Sequence, residues 1–139
     1  SSEKFKIGKG LMLKEGNDVT IVATGHLVWE AIKASEKLAE NGINAEIINI
    51  HTIKPLDEDI ILKSVSKTGC LVSAEEHNIY GGLGESISRL LVTKLPSPQE
   101  FVGTKDTFGQ SGPPSELMNK YCLNSSSIYT SAIDVLKRK

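Results

Sequence analysis

The chain has 139 residues, 39% of them apolar and 24% charged, with a net charge of -1. That length suits one domain burying about 65–70% of its unfolded surface, so the core needs no disulfide or metal staple. The charge balance argues against binding to nucleic acid or anionic lipid, and two cysteines without metal-type spacing argue against a disulfide framework.

No apolar stretch approaches the roughly 18 residues of a membrane span, and no charged-then-apolar leader opens the sequence. These features predict a reduced, cytoplasmic protein. The first residue is Ser1 rather than methionine, which reads as a segment processed or cut from a longer chain. Residues 1–6 read as a linker or tail, and residues 7–139 as one domain.

In chain order, Leu11-Met12-Leu13-Lys14 and Glu15-Gly16-Asn17-Asp18 predict a hairpin with the strand that follows. That strand, Val19 to Ala23, is short and nearly all apolar, as a strand buried on both faces should be. After Thr24-Gly25-His26, the positions Val28, Ala31, Ile32, Ser35, Leu38 and Ala39 mark one face of a helix that ends at Asn41-Gly42. Ala45–Ile50 is the next strand. Pro55 restricts Lys54, so the following helix starts after it, with Asp57 as cap and Gly69 as stop.

Cys70–Ala74 is a third apolar strand. Leu83, Ile87, Leu90 and Leu91 give a third helix, which Pro96 and Pro98 end. Glu100–Gly103 reads as a short edge strand, Phe108–Pro114 as a loop and Ser115–Tyr121 as a short helix. Asn124 caps the last helix, and Leu123 and Ile128 stand at the positions of a hydrophobic staple. The terminal Lys137-Arg138-Lys139 complements the negative end of that helix. Apolar strands alternating with helical segments predict a mostly parallel α/β sheet.

The chemistry-bearing stretch is Ala74-Glu75-Glu76-His77 followed by Gly81-Gly82-Leu83-Gly84. It lies at the carboxyl end of a strand, where open α/β sheets place ligands and interfaces. Glu75 and His77 share one face of an extended strand and Glu76 the other. The set can be read as an acid/base group, or as side chains that hydrogen-bond the glycine turn or a partner surface. The turn resembles a phosphate cradle, yet Ile87 stands at the third glycine position and Glu85 opposes an anion in the first helical turn. Tight turning and close helix–strand packing is the preferred reading of these glycines.

His26, His51 and His77 follow three predicted parallel strands and so share one sheet edge. A three-histidine zinc site would need all three rings to converge, and no i, i+4 pair supports that. Loop histidines that hydrogen-bond a neighbouring domain are preferred. Asp57-Glu58-Asp59 followed by Ile60 does not fit a calcium loop, and the sequence has neither a nucleophile elbow nor a Walker lysine loop.

Four segments together carry a resemblance: Glu15–Gly25, Ile53–Asp57, Ala74–His77 with Gly81–Gly84, and Phe108–Leu117. In order and spacing they resemble the C-terminal domain of transketolase-type thiamine diphosphate enzymes, from about Ile7 to Leu136. Phe108–Ser111 and Tyr121-Cys122-Leu123 are most similar to the C-terminal subunit of split transketolases. Deoxyxylulose-phosphate synthase ranks second, and 2-oxoacid dehydrogenase β-subunits are related.

The resemblance implies a three-layer α/β/α sandwich with a five-stranded mixed sheet, whose first strand is antiparallel and does not pair with the second. That conflicts with the hairpin read locally. It also implies that thiamine diphosphate and Mg2+ are held by two other domains of the parent enzyme, one for the diphosphate and one for the pyrimidine. The family's Gly-Asp-Gly motif is absent here. The expected role is therefore a non-catalytic part of a homodimeric transketolase, inactive alone, that supports the pyrimidine-binding domain. Glu75, Glu76, His77, Gly81, Gly82, Gly84, His26 and His51 are its candidate interface or active-site-edge residues. The rivals are a docking module, as in the oxoacid dehydrogenases, and a free-standing flavodoxin-like phosphate binder.

Overall fold

The computed structural model describes residues 9–51, 55–78, 82–104 and 124–139, the side chains of His77, Asn78 and Thr104 excepted. Five strands, β1 (Leu11–Lys14), β2 (Val19–Ala23), β3 (Ala45–Asn49), β4 (Leu71–Asn78) and β5 (Gln99–Thr104), make one mixed sheet in the order β1-β3-β2-β4-β5. Strands β2 to β5 run parallel, and β1 pairs antiparallel with β3. Among the described residues, four helices flank the sheet: α1 (Leu27–Glu40), α2 (Glu58–Thr68), α3 (Leu83–Lys94) and α4 (Ser125–Lys137).

Strand alternation sorts the core into two layers. Ile21, Ala23 and Val72 pack with Ala31 and Leu38 of α1 and with Ile128 and Ala132 of α4. Val22, Ile48 and Leu71 pack on the other face with Ile61 of α2 and with Leu83, Ile87 and Leu91 of α3. The result is the three-layer α/β/α sandwich.

The expected β1–β2 hairpin is overturned. Every residue of β2 is buried, and β2 is paired with β3 on one side and β4 on the other, so it has no free edge for β1. The turn before β2 is instead tied to the start of β3. Asp18 N–H donates to Asn44 O at 2.9 Å, Asn44 N–H to Asp18 Oδ2 at 2.7 Å, and Gly16 N–H to Glu46 Oε1 at 3.1 Å.

Glu46 is a carboxylate 1% exposed within β3, and the Lys67 ammonium lies on it. Burial pushes its carboxyl up, but hydrogen bonds from Lys67, Ser64 and Gly16 and the Lys67 charge outweigh that. The group therefore titrates below its ordinary 4.5. A lowered folded value means that the stability it lends is complete above the ordinary value and drains as pH falls through the folded one. In urea titrations, the acid-side loss of stability is expected to be smaller in Glu46→Gln than in the wild type. Identical acid limbs would contradict this.

Helix ends follow the expected chemistry. Asp57 caps α2 by accepting from Ile60 N–H, and its other oxygen accepts from Gly10 N–H at 2.8 Å. Gly69 closes α2 at φ 84°, and Asn124 caps α4 through Ser127 N–H at 3.0 Å. On α1, Ala34 is buried in place of the expected Ala39. At the terminus, Lys137 sits in the last turn of α4. Arg138 reaches Gln99 O and Glu100, and Lys139 reaches Asp18 O. The expected tail at 1–6, the Phe108–Pro114 loop, the Ser115–Tyr121 helix and the Leu123 half of the staple lie outside the described residues.

Candidate functional site

The carboxyl ends of β2, β3 and β4 make one edge of the sheet. Strand β4 was expected to stop at Ala74, but it continues to Asn78. Glu75 and Glu76 are therefore strand residues that face opposite layers.

Glu75 is 3% exposed and turns toward α3. Its Oε1 accepts from Leu83 N–H at 2.8 Å and its Oε2 from Gly84 N–H at 2.7 Å. The N-cap residue of α3 is Gly82, which has no side chain with which to cap. The carboxylate eight residues upstream satisfies two of the helix's orphan amides and meets the positive end of its dipole.

Glu76 turns toward the opposite layer and accepts from His26 N–H at the start of α1. No side chain within that turn caps α1. Gly25 stands at φ +56°, and a Cβ there would lie 3.1 Å from Glu76 Oε1. The glycine thus supplies both a left-handed turn and room for the carboxylate. Two consecutive side chains of one strand therefore hold the N-termini of two helices on opposite faces.

Gly84 lets α3 approach the sheet, since a Cβ would lie 2.5 Å from the Phe101 ring and 2.9 Å from Ser73 Oγ. Gln99 braces this contact by donating to Ser73 Oγ at 3.2 Å and to Gly84 O at 3.0 Å.

This arrangement limits the chemistry. The α3 amides that could cradle a phosphate are bonded to Glu75, so an incoming anion would meet a buried carboxylate. His26 and His51 are exposed after β2 and β3. The side chain of His77, and Gly81, lie outside the described residues. Among the described residues no group of three His, Cys, Asp or Glu side chains could hold a metal ion. Among the described residues, the groups at this edge thus do not fit a diphosphate cofactor with its metal. Cys70 is buried, and burial pushes its thiol up, away from the reactive thiolate.

Sequence reasoning missed the Gln99 brace, the Gly10–Asp57 tether and the Glu46–Lys67 pair. A carboxylate inside the apolar run Ala45–Ile50 was the available signal for the last of these.

Glu76→Ala is expected to cost about 0.5–1.5 kcal/mol, because it removes one cap on a partly exposed helix start. Amide exchange should quicken at His26 and leave Leu83 unchanged. Equal quickening at both would contradict the division of labour.

The comparisons agree with this fold. The family model described as "Transketolase, C-terminal domain" matches residues 8–128. A 6-deoxy-6-sulfo-D-fructose transketolase subunit, SqwH, of Clostridium sp. (strain MSTE9) is 44% identical over 138 residues, covering 99% of this chain and 43% of that protein. The 1-deoxy-D-xylulose-5-phosphate synthase of Desulforudis audaxviator is 41% identical over 119 residues, 84% of this chain and 19% of that protein. A solved split gene transketolase, described as an inactive beta4 tetramer, superposes with a TM-score of 0.91 at 38% identity, covering 96% of this chain and 44% of that one. The chain thus spans less than half the length of these relatives. Matched over most of its length by the family model and, across the described residues, by the mixed sheet with its antiparallel first strand, the chain belongs to the transketolase C-terminal domain family.

Proposed function

We propose that the chain is the non-catalytic C-terminal part of a thiamine diphosphate-dependent transketolase. The parent enzyme moves a two-carbon ketol unit between sugar phosphates, and this domain supports assembly and braces the pyrimidine-binding domain. The observation that carries this reading is the match itself: nearly all of this chain aligns with less than half of a transketolase subunit. The chemistry of the parent belongs to its cofactor, which serves as the carbanion sink, and the domains outside this one bind it.

The geometry supports a bracing role. Glu75 and Glu76 are engaged by helix ends, which leaves a rigid edge rather than an acid/base pair. The antiparallel sense of β1 places its first residue, Leu11, opposite Asn49 at the carboxyl end of β3. Gly10 is tethered there by Asp57, so the chain enters the domain at the same edge. The edge that carries Glu75 to Gly84, together with the exposed His26 and His51, is the proposed contact toward the rest of the enzyme. The parent is proposed to be a homodimer of a reducing, cytoplasmic compartment. Among the described residues no helix is long and apolar enough to cross a membrane.

The test is an add-back assay. The remaining parts of the enzyme, with thiamine diphosphate and Mg2+, receive a ketose-phosphate donor and an aldose-phosphate acceptor with and without this chain. Ketol transfer should depend on the chain, and turnover indifferent to it would end the proposal. The synthase relative favours a second reading, the same accessory part in a deoxyxylulose-phosphate synthase. Product formation from pyruvate and glyceraldehyde 3-phosphate would distinguish it.

A further inference from the structure

We infer that Asn41-Gly42, where α1 ends, is a site of spontaneous covalent modification. The backbone nitrogen of Gly42 closes on the side-chain amide of Asn41 and expels ammonia, and water then opens the ring to isoaspartate or aspartate. The site stands at the end of the sheet away from Glu75 and Glu76, because α1 leaves the carboxyl end of β2 and runs back toward the start of β3. It does not depend on the proposed function.

Ring closure needs an asparagine whose successor offers an unhindered backbone nitrogen, room for the ring, and water. Asn41 is the only asparagine of the sequence followed by glycine, and both residues are exposed. Gly42 stands at φ +76° with nothing within 4 Å of a Cβ position, so no neighbour obstructs a ring there. Asn41 is the C-cap of α1, at φ -103° and ψ 16°, and has already left the helical region. One restraint opposes the reaction: Gly42 N–H donates to Ala39 O at 3.0 Å. That bond belongs to the terminal turn, which opens more readily than the helix interior. The reaction therefore proceeds from the frayed end of α1, and the native turn sets its pace.

In the closing step a solvent base takes the Gly42 amide proton and the bond from Gly42 N to Asn41 Cγ forms. The bond from Cγ to Nδ2 breaks, and that nitrogen gains a proton from solvent and leaves as ammonia. Nothing is oxidised or reduced. In the opening step water adds to one of the two ring carbonyls. Addition at the former backbone carbonyl leaves a chain that runs through the side chain, as isoaspartate, and addition at Cγ leaves aspartate.

Either product alters the joint between α1 and α4. Asn41 Nδ2 now donates to Lys37 O at 3.2 Å and to Tyr129 Oη, on α4, at 3.1 Å. A carboxylate has no proton for either acceptor, and it adds a negative charge at the negative end of the α1 dipole. The modified protein is therefore less stable than the fresh one.

The test is timed incubation of the folded protein in warm, mildly alkaline buffer, followed by peptide mass mapping. A guanidinium-unfolded sample runs beside it as the clock. The peptide holding residues 41–42 should first show a species lighter by ammonia, then one heavier by the exchange of NH for O, before any other asparagine reacts. The product should accept a labelled methyl group from S-adenosylmethionine through an isoaspartyl methyltransferase. Asn41→Gln keeps an amide but would close a larger ring, so its modification should be about tenfold slower or more. Its thermal midpoint should hold through an incubation that lowers that of the wild type. Earlier reaction at another asparagine, or aspartate formed with neither the ring nor isoaspartate, would overturn the inference. So would a folded sample whose Asn41 survives many half-lives of the unfolded one.

Discussion

Glu75→Ala is expected to destabilise the protein by about 3 kcal/mol, seen as a fall of about 10 °C in the thermal midpoint. The substitution leaves the amides of Leu83 and Gly84 buried without their acceptor, and each such group costs about 1–3 kcal/mol. It also removes a negative charge from the N-terminus of α3. Glu75→Gln separates these effects. One oxygen remains to accept, while the amide NH2 faces a second donor, so an intermediate loss is expected. Hydrogen exchange at Leu83 and Gly84 should quicken in both variants. An alanine variant as stable as the wild type would show that the two hydrogen bonds carry no net stabilisation.

The second large effect is steric. A Cβ on Gly16 would lie 2.4 Å from Ala45 C, 2.5 Å from Ala45 O and 2.6 Å from Asn44 O. All three atoms are backbone at the start of β3, so no side chain can swing away to make room. Gly16→Ala is expected to cost about 2–4 kcal/mol, by displacing the turn that pins β2 and by weakening the Gly16–Glu46 hydrogen bond. Gly42→Ala is the control. That residue has φ +76° with nothing within 4 Å of its Cβ position, so only backbone strain of about 1 kcal/mol is at stake. Similar urea midpoints for the two variants would show that the clash relaxes freely.

The parts of the fold visible in the sequence were those that local chemistry decides. The β-branched runs of β2 and β3, the helical spacing of α3, and the caps at Asp57, Gly69 and Asn124 are short-range signals. The pairing of β1 was not local. A four-residue turn before β2 looks like a hairpin until both neighbours of β2 are known, and those come from residues 45–49 and 71–74. The end of β4 was hidden for a related reason. Polarity marks a strand's end when it meets water, whereas Glu75 is polar because it meets α3. The candidate edge was thus located from the sequence. That Glu75 hydrogen-bonds the glycine turn was one of the two readings open in the sequence, because its partners are only 8 and 9 residues away. The bond from His26 to Glu76 spans 50 residues, and no local signal announces it.

The paired carboxylates of β4 also impose a parity on that strand. Removing one residue between Leu71 and Glu75 would exchange the faces of both carboxylates, sending each toward the helix the other serves. Composition and length would hardly change, yet both helix starts would lose their anchors at once. Removing two residues would restore the alternation and shorten only the reach. Length variation in this strand is therefore constrained to even steps, a rule imposed by what lies above and below the sheet rather than by the strand itself.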